Sequence, residues 1–80
     1  MFYVYVLQSM KDETRYVGMS QNPTERLKEH NQGESKFTKG HRPYKLIYQE
    51  VCKTRQEARE KEKYYKSGVG REKLNKVIPL

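Results

Sequence analysis

The amino-acid sequence predicts an α+β fold, a small three-stranded, mainly antiparallel sheet flanked by two or three helices in the order β-β-α-β-α-(α). Two short apolar runs separated by a polar stretch predict a hairpin, and a later alternating run predicts a third strand. Two helix-start signals predict the helices between and after them. Eighty residues with no repeat or linker predict one domain, 1–80, with the order of the tail 77–80 left open, disorder included.

The predicted hairpin joins strands at 2–8 and 15–18 through a polar turn at 10–14. It sets Tyr5 and Tyr16 on neighbouring strands, each with a ring to pack and a hydroxyl to place. Gly18 follows an apolar residue at the end of the second strand. A glycine at that point permits the close approach of another group.

Capping signals predict where the helices begin. Asn22 before Pro23 fits an N-cap followed by proline at the first helical position, so a helix is predicted over 23–31 that ends near Gly33. Thr54 and Glu57 have the spacing of a capping box, so a second helix is predicted to run to about residue 66. The stretch 67–70 is predicted to break the chain before a short third helix at 71–76.

The third strand is predicted over 44–51. Strict alternation places Leu46 and Ile47 on opposite faces, which indicates partial cover on both sides of the sheet. The same alternation places four residues together on one face: Tyr44, Leu46, Tyr48 and Glu50.

Charge and cysteine content narrow the function classes. Seventeen Lys and Arg against ten acidic residues give a net charge of +7, which favours a polyanionic partner, above all nucleic acid, over a basic surface that serves only solubility. The single cysteine, Cys52, excludes an internal disulfide or a cysteine zinc cluster. With no signal peptide or apolar span, we expect a soluble, cytoplasmic protein without a membrane partner.

The second helix carries a misplaced charge. Ala58, Glu62 and Tyr65 share one helical face, so a carboxylate lies within the stripe expected to be buried. One interpretation is a salt-bridged glutamate, paired with Lys61, Lys66 or Arg26. The other is a metal ligand, since Mg²⁺ commonly takes only one or two protein carboxylates.

The first helix offers a second pair of polar candidates. Arg26 and His30 are four residues apart and project from one face. An arginine fork suits phosphate oxygens, and a histidine can donate to a phosphate or relay a proton. The alternative is a solvated helix face with Glu25 and Glu29 as neighbours.

Read in order, these motifs resemble the GIY-YIG endonuclease superfamily, and most closely its small single-domain members, which are similar to the N-terminal nuclease domain of the excinuclease C subunit. The resemblance runs from Phe2 to about Leu74. It rests on Val4-Tyr5, on Tyr16-Val17-Gly18, on the arginine–histidine pair and on the late glutamate. Segments 29–33, 36–38, 43–46 and 66–71 are typical of the small-protein branch. Tyr3 replaces the usual first glycine, and Met19 replaces a lysine of the excinuclease branch.

The resemblance implies hydrolysis of a nucleic-acid phosphodiester, dependent on Mg²⁺ or Mn²⁺, in DNA repair, recombination or processing. It implies five catalytic residues: Tyr5, Tyr16, Arg26, His30 and the metal ligand Glu62. Residues expected to contact nucleic acid, DNA rather than RNA, are Gly18, Lys36, Lys39, His41, Arg42, Lys66 and Arg71. His41 is also the candidate for a second family histidine.

The role of general base is open between Tyr16 and His30, with Tyr5 in an assisting position. A free phenol has a pKa of about 10, so Tyr16 would need strong local positive charge to act as a base near neutral pH. Two other functions stay open: a non-catalytic nucleic-acid-binding module on the same fold, and an adaptor that binds a protein through a tyrosine-rich face. A protein partner that supplies specificity is a further expectation, and the oligomeric state is left unknown.

Overall fold

The computed structural model describes residues 1–34 and 39–78. It contains three strands, β1 (Phe2–Ser9), β2 (Arg15–Ser20) and β3 (Tyr44–Cys52), and three helices, α1 (Pro23–Asn31), α2 (Arg55–Lys66) and α3 (Gly68–Val77). A short 3-10 helix, Lys39–His41, precedes β3. The predicted α+β fold and its element order are confirmed. Lys36, one of the expected nucleic-acid contacts, lies outside the described residues.

β1 is the central strand of a fully antiparallel sheet with the order β2-β1-β3. Its side chains alternate between two covered faces, because a strand points successive residues to opposite sides. Val4 and Val6 belong to one apolar cluster and Tyr5 and Leu7 to the other, and none of the four is more than 1% exposed. The sheet is therefore the middle layer of the molecule along this strand.

Each face of the sheet has its own helical cover. The first cluster joins Val4 and Val6 to α2 and α3 through Ala58, Tyr65 and Leu74. The second cluster lies under α1, where Tyr5, Leu7 and Tyr44 are buried and Tyr16, Leu27 and Leu46 pack against them. Cys52 is buried at the end of β3, as a structural cysteine would be.

A bulge in β3 corrects the predicted alternation. Val6 pairs with Tyr48 but Leu7 pairs with Leu46, so Ile47 is an extra residue in this strand. Tyr44 and Leu46 consequently face α1, whereas Tyr48 and Glu50 face α2. The prediction that these four share one face was wrong, while the opposite placement of Leu46 and Ile47 is confirmed.

The helix caps form much as their sequence predicts. The Asn22 side chain accepts from the Glu25 amide at 3.2 Å, and Thr54 Oγ1 accepts from the Glu57 amide at 3.1 Å. The return contact of the capping box differs, because the Glu57 carboxylate accepts from the Lys53 amide at 3.3 Å instead of the Thr54 amide. Among the described residues, no helix has the length and apolar character needed to cross a membrane.

The third helix begins earlier than predicted. Ser67 alone separates α2 from α3, and its hydroxyl caps α3 by accepting from the Gly70 amide at 3.2 Å. The expected break at 67–70 is therefore a single residue. α3 extends to Val77, and the Ile78 side chain that follows is buried.

Close packing explains why glycine stands at position 70. A Cβ there would fall 1.9 Å from the carbonyl oxygen of Tyr64, a backbone atom that cannot swing aside. Gly70 therefore lets the first turn of α3 rest on the last turn of α2.

We expect Gly70→Ala to lower the free energy of unfolding by about 1–3 kcal/mol, the usual cost of forcing an extra methyl group into a packed site. Gly68→Ala is the matched control, because no atom lies within 4 Å of its added Cβ. Alanine there should be neutral or up to about 1 kcal/mol stabilising through helix propensity. Urea unfolding of both variants measures the difference, and equal stability would contradict the close approach.

Candidate active site

Four of the expected site residues meet between β1, β2 and α1. Tyr5 is directly opposite Gly18 in the sheet, and Leu7 is opposite Tyr16, so the two tyrosines are diagonal neighbours on one face. Their ring centroids lie 6.4 Å apart. The His30 ring lies 4.8 Å from the Tyr16 ring, and its Nε2 is 3.4 Å from Tyr5 Oη. The Arg26 guanidinium is near enough to the Tyr5 phenol to lower its pKa.

Gly18 supplies the room that this cluster needs. A Cβ on Gly18 would lie 2.6 Å from Tyr5 Oη and 3.0 Å from Tyr16 Cε1. The glycine is itself buried. The structure thus places it beneath the Tyr5 phenol and not on a surface where it would touch nucleic acid, so its part in the site is to admit the phenol.

The environment of Tyr5 keeps its phenol neutral. Burial raises the pKa of Tyr5 above its ordinary value, the hydrogen bond with Arg26 opposes this, and the nearby charges of Tyr16 and Glu62 add to the increase. Tyr5 therefore holds a proton at neutral pH.

His30 is a buried imidazole next to that phenol. Its side chain is only 1% exposed, so this part of α1 is not the solvated face that was the alternative interpretation. Burial lowers the pKa of His30, and the charge of Arg26 lowers it further. Direct donation from His30 to a solvent-borne phosphate does not fit this burial, whereas proton exchange through Tyr5 or Tyr16 does.

The side chain of Asn31, in the last turn of α1, is hydrogen-bonded to the backbone of β3, a contact that the sequence did not predict. The side-chain oxygen of Asn31 accepts from the Tyr44 N–H at 2.6 Å, and its side-chain NH₂ group donates to the Tyr44 carbonyl at 3.1 Å. The Tyr44 ring packs 6.3 Å from the His30 ring. An asparagine beside the histidine was the only sequence signal, and it gave no indication of a partner thirteen residues away.

Arg26 lies where the cluster opens to solvent. Its side chain is 38% exposed and pairs with Glu29, one of the neighbours expected from the sequence. Both residues line a small cavity of about 220 Å³ together with His30 and Glu34. Arg26 therefore has one side on Tyr5 and another on solvent, which suits a group that meets a ligand.

Glu62 approaches from α2, the helix on the other face of the sheet. Its side chain is 21% exposed and its carboxylate is 3.4 Å from Lys66 Nζ. The alternative partners pair elsewhere, Lys61 with Glu50 and Arg26 with Glu29. The charge of Glu62 raises the pKa of the Tyr5 phenol, although it contributes less than burial, Arg26 or Tyr16.

The donor set fits a magnesium-type ion bound largely through water. Within 1–34 and 39–78 no three His, Cys, Asp or Glu residues are grouped so as to enclose a metal. Glu62 is instead a partly exposed carboxylate of α2 that pairs with Lys66 and whose charge acts on the Tyr5 phenol. Mg²⁺ is often held by one or two carboxylates, its own waters and substrate phosphates, so this arrangement fits the implied cofactor.

The expected nucleic-acid contacts separate into two groups. Lys39, His41 and Arg42 precede β3, where His41 Nδ1 is 2.5 Å from Asp12 and the Arg42 guanidinium lies over Gly33. The His41 contact holds the pKa of Asp12 well below its usual range. Lys66 and Arg71 belong to the second group, beside a groove.

That groove lies between the start of β2 and α3 and has a volume of about 920 Å³. Arg15 and Asn75, neither of which sequence reasoning selected, line it together with Tyr16, Lys66 and Arg71. Arg15 Nη1 donates to Asn75 Oδ1 at 2.6 Å. Its basic side chain next to Tyr16 was the available signal, but no local pattern points to a partner sixty residues away.

Comparison with known proteins assigns this architecture to a class. The sequence model described as the GIY-YIG catalytic domain matches residues 1–75, so the chain belongs to the GIY-YIG family. Membership implies a nuclease-type function and interaction with nucleic acid, and GIY-YIG nucleases are generally dependent on divalent metals.

Within that family its relatives are UPF0213 proteins. One from Clostridium perfringens is 40% identical over 96% of this chain and 83% of its own length. Another, from Staphylococcus haemolyticus, is 36% identical over 94% of this chain and 92% of its own. The solution NMR structure of a UPF0213 protein from Bacillus halodurans is 31% identical, with a TM-score of 0.58 over 96% of this chain and 85% of that one.

We expect the pKa of His30 to lie below 6.5, because burial and the Arg26 charge both disfavour the imidazolium. NMR titration of the imidazole resonances measures it, with His41→Asn to assign the two histidines. Arg26→Gln should raise the His30 pKa, while burial keeps it below the ordinary value. The His30 imidazole has a higher pKa in the unfolded chain than in the folded chain, so its protonation favours unfolding. The free energy of unfolding should therefore decrease as pH falls below 6.5. A His30 pKa at or above 6.5 would contradict the geometry.

Proposed function

We propose that the protein is a metal-dependent endonuclease that hydrolyses phosphodiester bonds, with DNA as the substrate. The observation that carries the proposal is the meeting of Tyr5, Tyr16, Arg26 and His30 in one hydrogen-bonded and ring-packed cluster, with the charge of Glu62 felt at Tyr5. Phosphodiester hydrolysis needs an activated water, neutralisation of charge on the phosphoryl oxygens and a stabilised leaving group, and these residues offer a group for each.

Arg26 is the residue proposed to hold the non-bridging oxygens. Its planar fork can bind two oxygens, and its partly exposed position lets a phosphate replace part of the contact with Glu29. The same guanidinium is already fixed by Tyr5 on its inner side. A donor that is oriented before the substrate arrives stabilises transition-state charge with little reorganisation.

Proton removal from the attacking water is assigned to Tyr16 working with His30. The two rings lie 4.8 Å apart, and the neutral imidazole has the protonation state that a base requires. Tyr5 is a less suitable base, because burial raises its pKa and keeps it protonated. Its role is to orient: it connects Arg26 to His30 through one hydroxyl.

Glu62 would hold the divalent ion, which supplies Lewis acidity and neutralises charge on the leaving oxygen when it is bound. The carboxylate has two oxygens and, among the residues that the structure describes, one weak partner, Lys66 at 3.4 Å. Lys66 can remain as a second cation beside the phosphate. The surface cations and the charge of +7 would add sequence-independent attraction that weakens with salt. A DNA-repair, recombination or processing role in the cytoplasm and a specificity-giving protein partner are parts of this proposal.

A non-catalytic nucleic-acid-binding module is the second candidate function. It is favoured by the 1% exposure of His30, which limits direct contact of the imidazole with substrate, and by the ion pairs that occupy Arg26 and Glu62. Such a module would bind DNA in a salt-dependent way and show no response to Mg²⁺.

We expect Glu62→Gln to lower the rate of Mg²⁺-dependent cleavage by more than about 100-fold. This is a larger loss than is usual for a residue that contacts a metal ligand but not the metal itself. The change removes a ligand charge at nearly constant volume, so DNA binding should persist. The assay compares duplex, flap, forked and single-stranded substrates with Mg²⁺ or Mn²⁺.

Glu60→Gln is the matched control for that assay, since Glu60 is an exposed glutamate on the same helix. It should cleave at the unmodified rate. Full cleavage by Glu62→Gln would remove the metal assignment, and absence of cleavage by the unmodified protein on every substrate would favour the binding module.

We expect Arg26→Ala to lower the rate of cleavage by about 100- to 1,000-fold, the range seen when one transition-state donor is removed. Arg26→Lys keeps the charge without the fork and should recover only part of the rate. Lys28→Ala removes a cation from the exposed side of the same helix and should change little. If Arg26→Ala cleaves at the same rate as Lys28→Ala, Arg26 is only a surface residue.

A further inference from the structure

We propose that the groove between β2 and α3 binds one nucleotide of the substrate strand next to the cleaved bond, with its phosphate on Lys66 and Arg71 and its base over Val17 and Leu74. This inference rests on the proposed function and extends it to four residues that had no assigned role: Arg15, Val17, Leu74 and Asn75.

The shape of the groove suits a nucleotide. Its volume of about 920 Å³ lies within the range of roughly 300–1,000 Å³ in which proteins bind small organic ligands. Val17, Tyr65 and Leu74 form an apolar floor, and each is at most 8% exposed, so the floor is packed and not free to collapse. The apolar face of a base can pack on such a floor.

The rim of the groove has the charge that a phosphate requires. Three cations line it, Arg15, Lys66 and Arg71, against one carboxylate, Glu13. Arg71 is exposed at the first turns of α3, and Lys66 is at the end of α2. A groove with an apolar floor and a cationic rim is complementary to a base attached to a phosphodiester, and a neutral or basic ligand would leave the rim unpaired.

The groove is continuous with the candidate active site. Tyr16 lines the groove and also packs against His30, and Lys66 lines the groove while its ammonium faces Glu62. Because β2 is an edge strand, its outer side is open, so the adjacent residues Tyr16 and Val17 can both border one groove. A strand whose phosphate lies between Arg26 and Glu62 would therefore continue over Tyr16 into the groove.

Arg15 and Asn75 fix the far side of this site. Their 2.6 Å hydrogen bond joins β2 to α3 and uses the Asn75 oxygen as acceptor. The Asn75 amide hydrogens then point away from Arg15 as donors, which can meet acceptors on a base edge or a sugar. The pair thus connects the two walls and adds polar groups beside an otherwise apolar floor.

NMR titration without divalent metal tests the groove, because binding is then observed apart from cleavage. The probes are thymidine 5′-monophosphate and a 5′-phosphorylated deoxythymidine tetranucleotide, added to the ¹⁵N-labelled protein in EDTA. We expect amide shifts concentrated in residues 15–17 and 71–75, with tighter binding of the tetranucleotide than of the monophosphate.

Arg71→Gln and Lys76→Gln form a matched pair of variants. Each removes one positive charge from an exposed position of α3, but only Arg71 lines the groove. Arg71→Gln should weaken tetranucleotide binding at least about fivefold and reduce the slope of log affinity against log salt by about one. Lys76→Gln should weaken it less than twofold.

Three results would overturn the inference: shifts that avoid both groove segments, equal loss of binding in the two variants, or binding of the monophosphate as tight as that of the tetranucleotide, which would indicate a free-nucleotide site. The locations of the shifts in the unmodified protein decide the question even if a variant folds poorly. If the groove does not bind the tetranucleotide but Glu62→Gln loses the cleavage that the unmodified protein shows, the nuclease proposal still stands. Groove binding without cleavage of any substrate would instead remove the nuclease proposal, together with the position next to a cleaved bond, and leave the groove as a nucleotide-binding site.

Discussion

Burial of β1 on both faces is the constraint on which the rest of the structure depends. A central strand of an eighty-residue chain must be covered twice, so its alternate side chains have to support two separate clusters. On one face β1 contributes Val4 and Val6, whose side chains have no polar group that needs a partner. On the other face Tyr5 fills the volume of a core residue but brings a hydroxyl inside, and that hydroxyl needs partners. Arg26 and His30 are those partners, so the requirement of the core and the geometry of the candidate site are the same set of contacts.

Electrostatics within the site follow from the same burial. A neutral imidazole, a neutral phenol and a guanidinium can share a confined space, because only one of the three carries charge. The Arg26 charge is compensated at the surface by Glu29, and Glu62 approaches from the other helical layer. The arrangement keeps the charged groups at the opening and the neutral ones inside, so an anion entering the site meets the charged groups before the buried ones.

The parts of the fold and site that sequence could predict are those set by local chemistry. Asn22 before Pro23 and the Thr54 cap locate α1 and α2, because a cap acts within four residues. The extra residue at Ile47 could not be counted from alternation, since a bulge is defined only by the partner strand. His30 sits on a helix with Leu27 as its single internal apolar residue, and its burial arises from three tyrosines of other elements. The pairing of Arg15 with Asn75 likewise exists only in three dimensions.

The carboxylate of Glu50 joins the sheet to the helix that carries Glu62. It accepts from Tyr65 at 2.6 Å and Tyr48 at 2.9 Å and pairs with Lys61. Burial alone would raise its pKa, but these hydrogen bonds outweigh burial and the pKa lies below 4.5. A carboxyl whose pKa is lower in the folded state than in the unfolded state stabilises the fold at a pH above its unfolded-state pKa. That stabilisation is lost as pH falls through its folded-state pKa. Acid would thus weaken the link between β3 and α2, so the helix that carries Glu62 depends on a carboxylate on the sheet face opposite Tyr5.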